Sequence, residues 1–212
     1  TAEHTLALLL SLLRKIPYSN NTTHQGKWEK KSIKGRELSG KTVGIIGFGN
    51  VAVKFYELIK GFNTNVLLCS KSFEDRKKDF PEIQNTTFEE ILLNSDIITF
   101  HCKSPSNNKP LITINEIKKM KPNAVLINTA RGNIINENDL NQSLNDNLIS
   151  GAAIDVFSNE PAKDNILFNN PKVILTPHIA ASTYEAQIKV AEMISNQISD
   201  YLLENKIINT VE

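Results

Sequence analysis

Several things are scarce in this sequence, and each shortage removes a class of function. Cysteine occurs twice in 212 residues, as Cys69 and Cys102, with no Cys-x-x-Cys spacing. Both lie in apolar, strand-like runs, so neither a disulfide framework nor a zinc site is expected; buried, reduced thiols in a cytoplasmic protein are. No other metal-ligating cluster stands out. Charge of one sign is not in excess: 24 Lys and Arg against 23 Asp and Glu leave a formal net charge of +1. That balance gives no electrostatic reason to expect nucleic acid or an anionic membrane surface as a partner. Long apolar runs are missing as well. The block from Leu6 to Leu13 is too short to span a bilayer, and its basic residues, Arg14 and Lys15, follow it, whereas a signal peptide carries them in front. There are no internal repeats and no low-complexity tails.

What is present is ordinary for a globular α/β protein: 40% hydrophobic and 22% charged residues. The chain opens at Thr1 directly into an apolar helix, which reads as part of something whose earlier portion is missing. Three stretches are expected: a leading helix and connector over 1–41, a dinucleotide-binding domain over 42–180, and a final helix and tail over 181–212. Residues 2 to 16 form a helix with Leu6, Leu9, Leu10 and Leu13 on one face and Ala7, Leu8 and Leu12 beside them. A helix so apolar needs cover on several sides, which points to an interface and a homodimer. Pro17 is expected to stop it. Residues 18 to 41 are polar and lysine-rich and read as an extended connector. Trp28, the single tryptophan, is there either as a residue folded onto the domain or as an anchor against a partner subunit.

From Thr42 onward apolar runs alternate with helical patterns. Strands are expected at 42–46, 65–69, 96–100, 124–128, 151–155 and 172–175, all continuous runs that suit a parallel sheet covered on both faces. Capping boxes mark helix starts at Thr87 with Glu90, Thr113 with Glu116, and Ser182 with Glu185. Further helices are expected from about Asn136 to Asn145 and from Ser182 to Leu203, the latter apolar at Ile188, Ala191, Ile194 and Ile198. The pattern is a doubly wound, Rossmann-type α/β domain.

Its first strand, turn and helix carry the spacing Gly47-x-Gly49-x-x-Ala52. Gly47 permits a tight turn, Gly49 lets a pyrophosphate approach the backbone, and Ala52 lets the helix pack closely on the strand. Gly47, Gly49, Asn50 and Val51 are therefore expected against the phosphates, at the positive end of the helix dipole. In such folds the second strand ends in an acid about 20 residues further on, to hold the ribose of NAD. Here Ser70 and Lys71 stand there, with Arg76 beyond, and a hydroxyl with cations suits the 2′-phosphate of NADP better. NADP is favoured over NAD on that ground.

Three polar residues follow strand ends in the later half of the sheet, where ligands of such folds gather: Arg131, Glu160 and His178. Taken singly each has a plain structural reading, as a surface ion pair or a hydrogen-bonded histidine. In this order and spacing, with the segments 35–49, 120–132, 151–157 and 173–180, the chain resembles the D-isomer-specific 2-hydroxyacid dehydrogenase family along essentially its whole length. The resemblance implies an enzyme that passes a hydride between a nicotinamide cofactor and C2 of a small 2-hydroxy or 2-keto acid. It implies that Arg131 clamps the substrate carboxylate and polarises the C2 oxygen, that His178 is the general acid/base and that Glu160 pairs with it. These types fit that work: a guanidinium presents a planar fork to a carboxylate, and imidazole exchanges a proton near neutral pH. By the same resemblance Asp155 bonds the nicotinamide carboxamide, Thr129 and Ala130 lie against the cofactor, and His101 lines the cleft without taking part in the chemistry. His4 and His24 are left as structural or solvated.

Two positions depart from the family pattern, Lys103 where proline is usual and Asn63 where glycine is usual. The family's small N-terminal domain is not in the sequence, so residues 1 to 212 alone are expected to bind a dinucleotide with weak or no turnover. Segment 26–38 looks like 3-phosphoglycerate dehydrogenases, whereas 60–71 is more similar to glyoxylate/hydroxypyruvate reductases. A formate-oxidising relative is disfavoured by Glu160, where that branch carries Gln. From a different class, a dinucleotide-sensing co-repressor of the same family would keep the same triad.

Overall fold

Runs in which every residue is buried dictate the centre of the molecule. The computed structural model describes residues 1–105 and 109–207. Strands β1 (Thr42–Ile46), β2 (Asn65–Cys69), β3 (Ile97–Phe100), β4 (Val125–Asn128), β5 (Gly151–Ile154) and β6 (Val173–Leu175) form one parallel sheet in the order β2-β1-β3-β4-β5-β6. All four residues of β3, β4 and β5 are buried. Consecutive side chains go to opposite faces. Ile98, Phe100, Leu126, Ala152 and Ile154 enter one core, under α4 (Phe88–Asn94), α5 (Ile114–Ile117) and α6 (Glu137–Asn145). Ile97, Val125, Ile127 and Ala153 enter the other, under α1 (Ala2–Leu13) and α3 (Asn50–Ile59). The sheet is doubly wound, as expected, with strand limits within a residue of the sequence reading.

The register sets up the site. Ile46 pairs with Cys69 and Phe100, Phe100 with Asn128, Asn128 with Ile154, and Ile154 with Leu175. The residues that come next, Gly47, Ser70, His101, Thr129, Asp155 and Thr176, therefore leave the carboxyl edge of the sheet in one row.

Local signals account for the helix starts. Thr87 and Thr113 each form a complete capping box with Glu90 and Glu116. Asn136 caps α6 by accepting from the Asp139 N–H at 3.1 Å. Asn63, at a position where glycine is usual, has φ 54°, the left-handed conformation that ends a helix.

Three expectations are corrected. The first helix ends at Leu13, and a second, α2 (Ile16–His24), occupies the start of what read as an extended connector. Lys15 makes the break by adopting a left-handed backbone, and Pro17 sits in the first turn of α2, where a missing N–H costs nothing. Pro17 thus opens a helix. The last helix, α7 (Tyr184–Glu204), is capped one residue later than expected: Thr183, not Ser182, accepts from the Ala186 N–H at 3.1 Å. Finally, the leucine-rich α1 finds its cover within its own chain. Leu8, Leu9 and Leu13 are buried with Phe55, Val125 and Ile127, so the cost of exposing them does not by itself call for a second subunit. Trp28 is 83% exposed and is not folded onto the domain.

Residues 1–180 form one compact unit and 181–212 a second; of the expected tail, 208–212 lie outside the described residues. Among the described residues no helix is long and apolar enough to cross a membrane, and no group of three His, Cys, Asp or Glu could hold a metal ion.

Candidate active site

The glycine elbow is built for close approach from two sides. Gly47 has φ +87°, and a Cβ there would lie 2.7 Å from the His101 carbonyl oxygen. Its N–H donates to the Cys69 carbonyl at 2.9 Å, which ties the elbow to β2. Around the Cβ position of Gly49 there is nothing within 4 Å. Gly49 is also the N-cap of the ten-residue α3 and brings no side-chain cap. The first amides of α3, at Asn50 and Val51, are thus not capped by the helix's own residues and border open space, the arrangement that receives a pyrophosphate. The residues present fit a dinucleotide.

On the β2 side the Ser70 N–H donates to Asn85 Oδ1 at 2.9 Å, and Asn85 Nδ2 donates back to the Ser70 carbonyl at 3.1 Å. That exchange fixes the residue that follows β2 and leaves its hydroxyl outward, 3.4 Å from Ser72 Oγ. Lys71 is exposed. Arg76 donates to Asn50 Oδ1 at 2.7 Å, which draws a guanidinium back over the start of α3. Sequence spacing alone gave no sign of that contact.

His101 leaves β3 beside the elbow. Its ring packs against Phe55, with centroids 5.4 Å apart, and Nε2 lies 3.1 Å from Thr99 Oγ1. Burial pushes its pKa down to about 4, so the ring is neutral at working pH. Thr129 is buried, and its hydroxyl lies 2.7 Å from that of Thr5 on α1. Thr5 spends its own proton on the Thr1 carbonyl at 3.0 Å, so Thr129 is the donor of the pair.

Arg131 is presented by a turn that a buried side chain shapes. Asn128, at the end of β4, donates from Nδ2 to the Arg131 carbonyl at 2.9 Å and accepts from the Ala130 N–H at 3.1 Å. Sequence reasoning passed over Asn128. The available signal was an amide ending an otherwise apolar strand, a place where a polar group must have partners. The next residue has to be glycine, since a Cβ on Gly132 would lie 1.8 Å from the Phe157 carbonyl oxygen. That close crossing brings the Arg131 turn against the loop that carries Glu160.

Glu160 and His178 form a close polar contact, Oε2 to Nδ1 at 2.6 Å. Oε1 also accepts the Phe157 N–H at 2.8 Å. Partial burial pushes the Glu160 carboxyl up, but the Phe157 N–H, the His178 ring and the Arg131 charge outweigh it and hold it below its ordinary value. His178 has φ 54°, uncommon for a residue with a side chain. Its N–H is held by the Asp155 carbonyl at 2.8 Å and the Thr176 carbonyl at 3.0 Å. With Nδ1 committed to Glu160, Nε2 is the nitrogen left for a ligand. Arg131, Glu160 and His178 together line a cavity of about 230 Å³, with Ser104 and Asn133 in the same wall. A larger chamber of about 550 Å³ shares Glu160 and His178 and is otherwise mainly apolar, with Phe157, Phe168 and Leu175.

Asp155 is fully buried and acts as the acceptor that organises the His178 loop. Oδ1 takes the Thr176 hydroxyl at 2.5 Å and the Ile179 N–H at 2.9 Å, and Oδ2 takes the Ala180 N–H at 2.9 Å. His4 joins from α1, with Nε2 3.1 Å from Thr176 Oγ1 and 3.5 Å from Asp155 Oδ1. Because the one Thr176 proton is used on Asp155, His4 is the donor. The residue left as structural or solvated is thus part of the frame of the site.

Comparison with known proteins agrees with this geometry. A family model described as D-isomer specific 2-hydroxyacid dehydrogenase, NAD binding domain, matches residues 6–180. D-3-phosphoglycerate dehydrogenase of Bacillus subtilis is 38% identical over 201 residues, covering 95% of this chain and 38% of the relative. Glyoxylate reductase of Pyrococcus furiosus is 33% identical over 205 residues, covering 93% of this chain and 61% of the relative. The chain thus spans less than two thirds of the length of either curated relative. Among solved structures, an acyclic imino acid reductase in complex with NADPH and D-Arg superposes with a TM-score of 0.89 at 33% identity, over 100% of this chain and 67% of the other. With the family model covering most of the chain, and the elbow and the strand-end row in the positions described, the protein belongs to the D-isomer specific 2-hydroxyacid dehydrogenases, of which these residues are the NAD-binding domain.

Proposed function

We propose that this chain supplies the dinucleotide-binding and proton-transferring half of an oxidoreductase that interconverts a small 2-hydroxy acid and its 2-keto acid. The observation that carries the proposal is the shared cavity of Arg131, Glu160 and His178 on the sheet edge where the glycine elbow opens. Gly47, Gly49, Asn50 and Val51 would hold the pyrophosphate. Thr129, Ala130, Asp155 and His101 would border the nicotinamide half. When bound, the dinucleotide supplies or accepts the hydride at the substrate C2.

The remaining work falls to this chain's side chains. The planar fork of Arg131 suits the substrate carboxylate bidentately and would fix which face of C2 is presented. In the reducing direction His178 gives the proton on Nε2 to the C2 oxygen; in the oxidising direction Nε2 takes it back from the hydroxyl. Glu160 keeps the ring oriented through Nδ1 and balances the charge carried when both ring nitrogens are protonated. Neighbouring Arg131 and His178 favour the ionised form of Glu160 that this needs.

The names of the relatives make 3-phosphoglycerate and glyoxylate or hydroxypyruvate the first substrates to try. Ser70, Lys71 and the Arg76–Asn50 contact, with no acid directly after β2, favour NADP over NAD. The exposed Trp28 suits a homodimer anchor, and the two free thiols suit a reducing, cytoplasmic setting.

The test is turnover of the full-length protein with NADPH or NADH across glyoxylate, hydroxypyruvate and phosphohydroxypyruvate. His178→Gln should lower kcat by about 10²–10⁴-fold while leaving dinucleotide affinity unchanged. Dinucleotide binding without turnover on any keto acid would instead mark a sensor. Unaltered turnover in His178→Gln would remove the histidine from the chemistry.

A further inference from the structure

The opposite edge of the sheet carries a charge pattern that this chemistry does not use. Between residues 14 and 41 eight cationic side chains stand with two acids, Glu29 and Glu37, in a chain whose formal net charge is only +1. The fold gathers part of that excess in one place. A cavity of about 560 Å³ lies at the amino ends of β4, β5 and β6, bordered by the end of α1, the start of α2 and segment 32–36. Lys15, Lys34, Arg36 and Lys172 are in its wall, and no Asp or Glu is. Leu12, Val125, Val173 and Ile174 give it an apolar floor.

The four cations have neutral partners or none. Arg36 is half-buried and donates to the Asn123 carbonyl at 2.5 Å and to Ser150 Oγ at 2.8 Å. Burial lowers its pKa from 12.5, with the more distant Asp96 charge opposing. Lys172 donates to the Leu144 carbonyl and, at 2.7 Å, to Asn147 Oδ1. Lys15 and Lys34 are exposed, and among the described residues neither ammonium has a hydrogen-bond or ion-pair partner. Cations drawn around an apolar floor without a carboxylate lack the counter-charge that partial desolvation makes valuable, and a cleft of one sign concentrates ions of the other.

We propose that this cavity is a second ligand site, for a small organic anion that joins a carboxylate or phosphate to a compact apolar body. The apolar part would rest on Leu12, Val125 and Ile174, and the charge would lie between Lys15 and Lys34 with Arg36 and Lys172 behind it. The volume falls within the range of about 300–1,000 Å³ usual for small-molecule sites. Because the cavity lies at the other end of β4, β5 and β6 from His178, occupancy here does not compete with occupancy of the dinucleotide cleft.

The test is calorimetric titration of the protein with phenyl phosphate, benzoate, inorganic phosphate and benzyl alcohol, with and without saturating NADH, and amide shift mapping with phenyl phosphate. Phenyl phosphate and benzoate should bind equally well with and without NADH, and shift the amides of Leu12 and Val173. The stronger of the two tells phosphate from carboxylate as the natural head group. Inorganic phosphate should bind more weakly for lack of the floor, and benzyl alcohol more weakly for lack of charge. Lys15→Met with Lys34→Met should weaken the two aryl anions about tenfold or more without changing the melting temperature. The proposal fails if NADH displaces the anions, if the neutral alcohol binds as well, or if the double variant binds them unchanged. It also fails if the variant alters only the oligomeric state, since the lysines would then be subunit contacts. None of these outcomes depends on whether the chain turns over a keto acid.

Discussion

Lowering the pH from 7.5 to 5 probes the surroundings of His101 directly. Its ring is enclosed beside Phe55, and burial holds its pKa at about 4 against an ordinary 6.5. As the pH falls through 6.5 the unfolded chain takes up a proton at this residue while the folded chain does not. The stability contributed by the neutral ring is therefore complete above 6.5 and is lost progressively toward 4. Integrating the difference gives about 2 kcal/mol lost between those two conditions, from a ceiling of roughly 3 kcal/mol. For a domain of this size that is about 4–8 °C in Tm. Depressed carboxyls do not crowd the window. Glu82, at about 2, and Glu90, Asp96, Glu116 and Glu160 have ordinary values of 3.8 or 4.5, so their contributions begin to fade only around and below those values. The measurement is urea or thermal unfolding of the wild type and His101→Asn at both pH values. Only this ring differs between the two proteins, so the difference between the two pH slopes isolates it. Wild type should lose about 2 kcal/mol more than the variant on acidification. Equal slopes would show that the ring is solvated and that its enclosure beside Phe55 is misjudged.

The two glycines of the elbow should fail in different ways. Gly47→Ala forces a side chain to φ +87° and 2.7 Å from a carbonyl oxygen, so the melting temperature should drop, with at least about 1–2 kcal/mol lost. Gly49→Ala meets nothing within 4 Å, so the melting temperature should hold while NADH titration shows a weakened complex. Asp155→Asn leaves one of the Thr176, Ile179 and Ala180 donors without its acceptor and should cost about 1–3 kcal/mol, with faster amide exchange at Ile179 and Ala180 than elsewhere in the sheet. Leu9→Ala, at a position with no exposed surface, should cost about 2–5 kcal/mol by denaturation and leave dinucleotide affinity per folded molecule unchanged. A much smaller loss would mean that α1 packs less tightly than described.

What the sequence disclosed follows the range of each interaction. Caps and turns are local, so Thr87, Thr113 and Asn136 were legible as helix starts. The failures are local too, but ambiguous. Ser182 and Thr183 are adjacent hydroxyls, and either can cap. Pro17 suits the first turn of a helix as well as the end of one, and what separates the two is the left-handed Lys15, a conformation the sequence does not advertise. The cover of α1 was misjudged for a different reason. Apolarity says that a helix must be buried, and it does not say by what. Here the cover includes Phe55 of α3 and Val125 and Ile127 of β4, residues far along the chain.

The site divides in the same way. Gly47 was legible from its short motif, whereas Arg131, Glu160 and His178, each with a plain structural reading alone, were picked out together only through the family resemblance. Their supports were not: Asn128 acts locally on Ala130 and Arg131 but was passed over, and Thr5, His4 and Arg76 act through contacts that only the fold creates, up to 172 residues apart in the case of His4 and Thr176. The register links the two groups. A shift of one residue in any strand would turn its side chains to the other face and move its site residue out of the row. The strands need their alternating burial in two cores to hold that register, and the supports lock the loops that the register has aligned. His178 depends on both. The β5–β6 pairing puts Asp155 and Thr176 side by side, and the Asp155 carbonyl and carboxylate then hold residues 178–180 in a backbone that brings the imidazole to Glu160. Packing of the sheet therefore sets the geometry of the imidazole–carboxylate pair, which is why a buried carboxylate without access to solvent shapes the site as much as the exposed pair it positions.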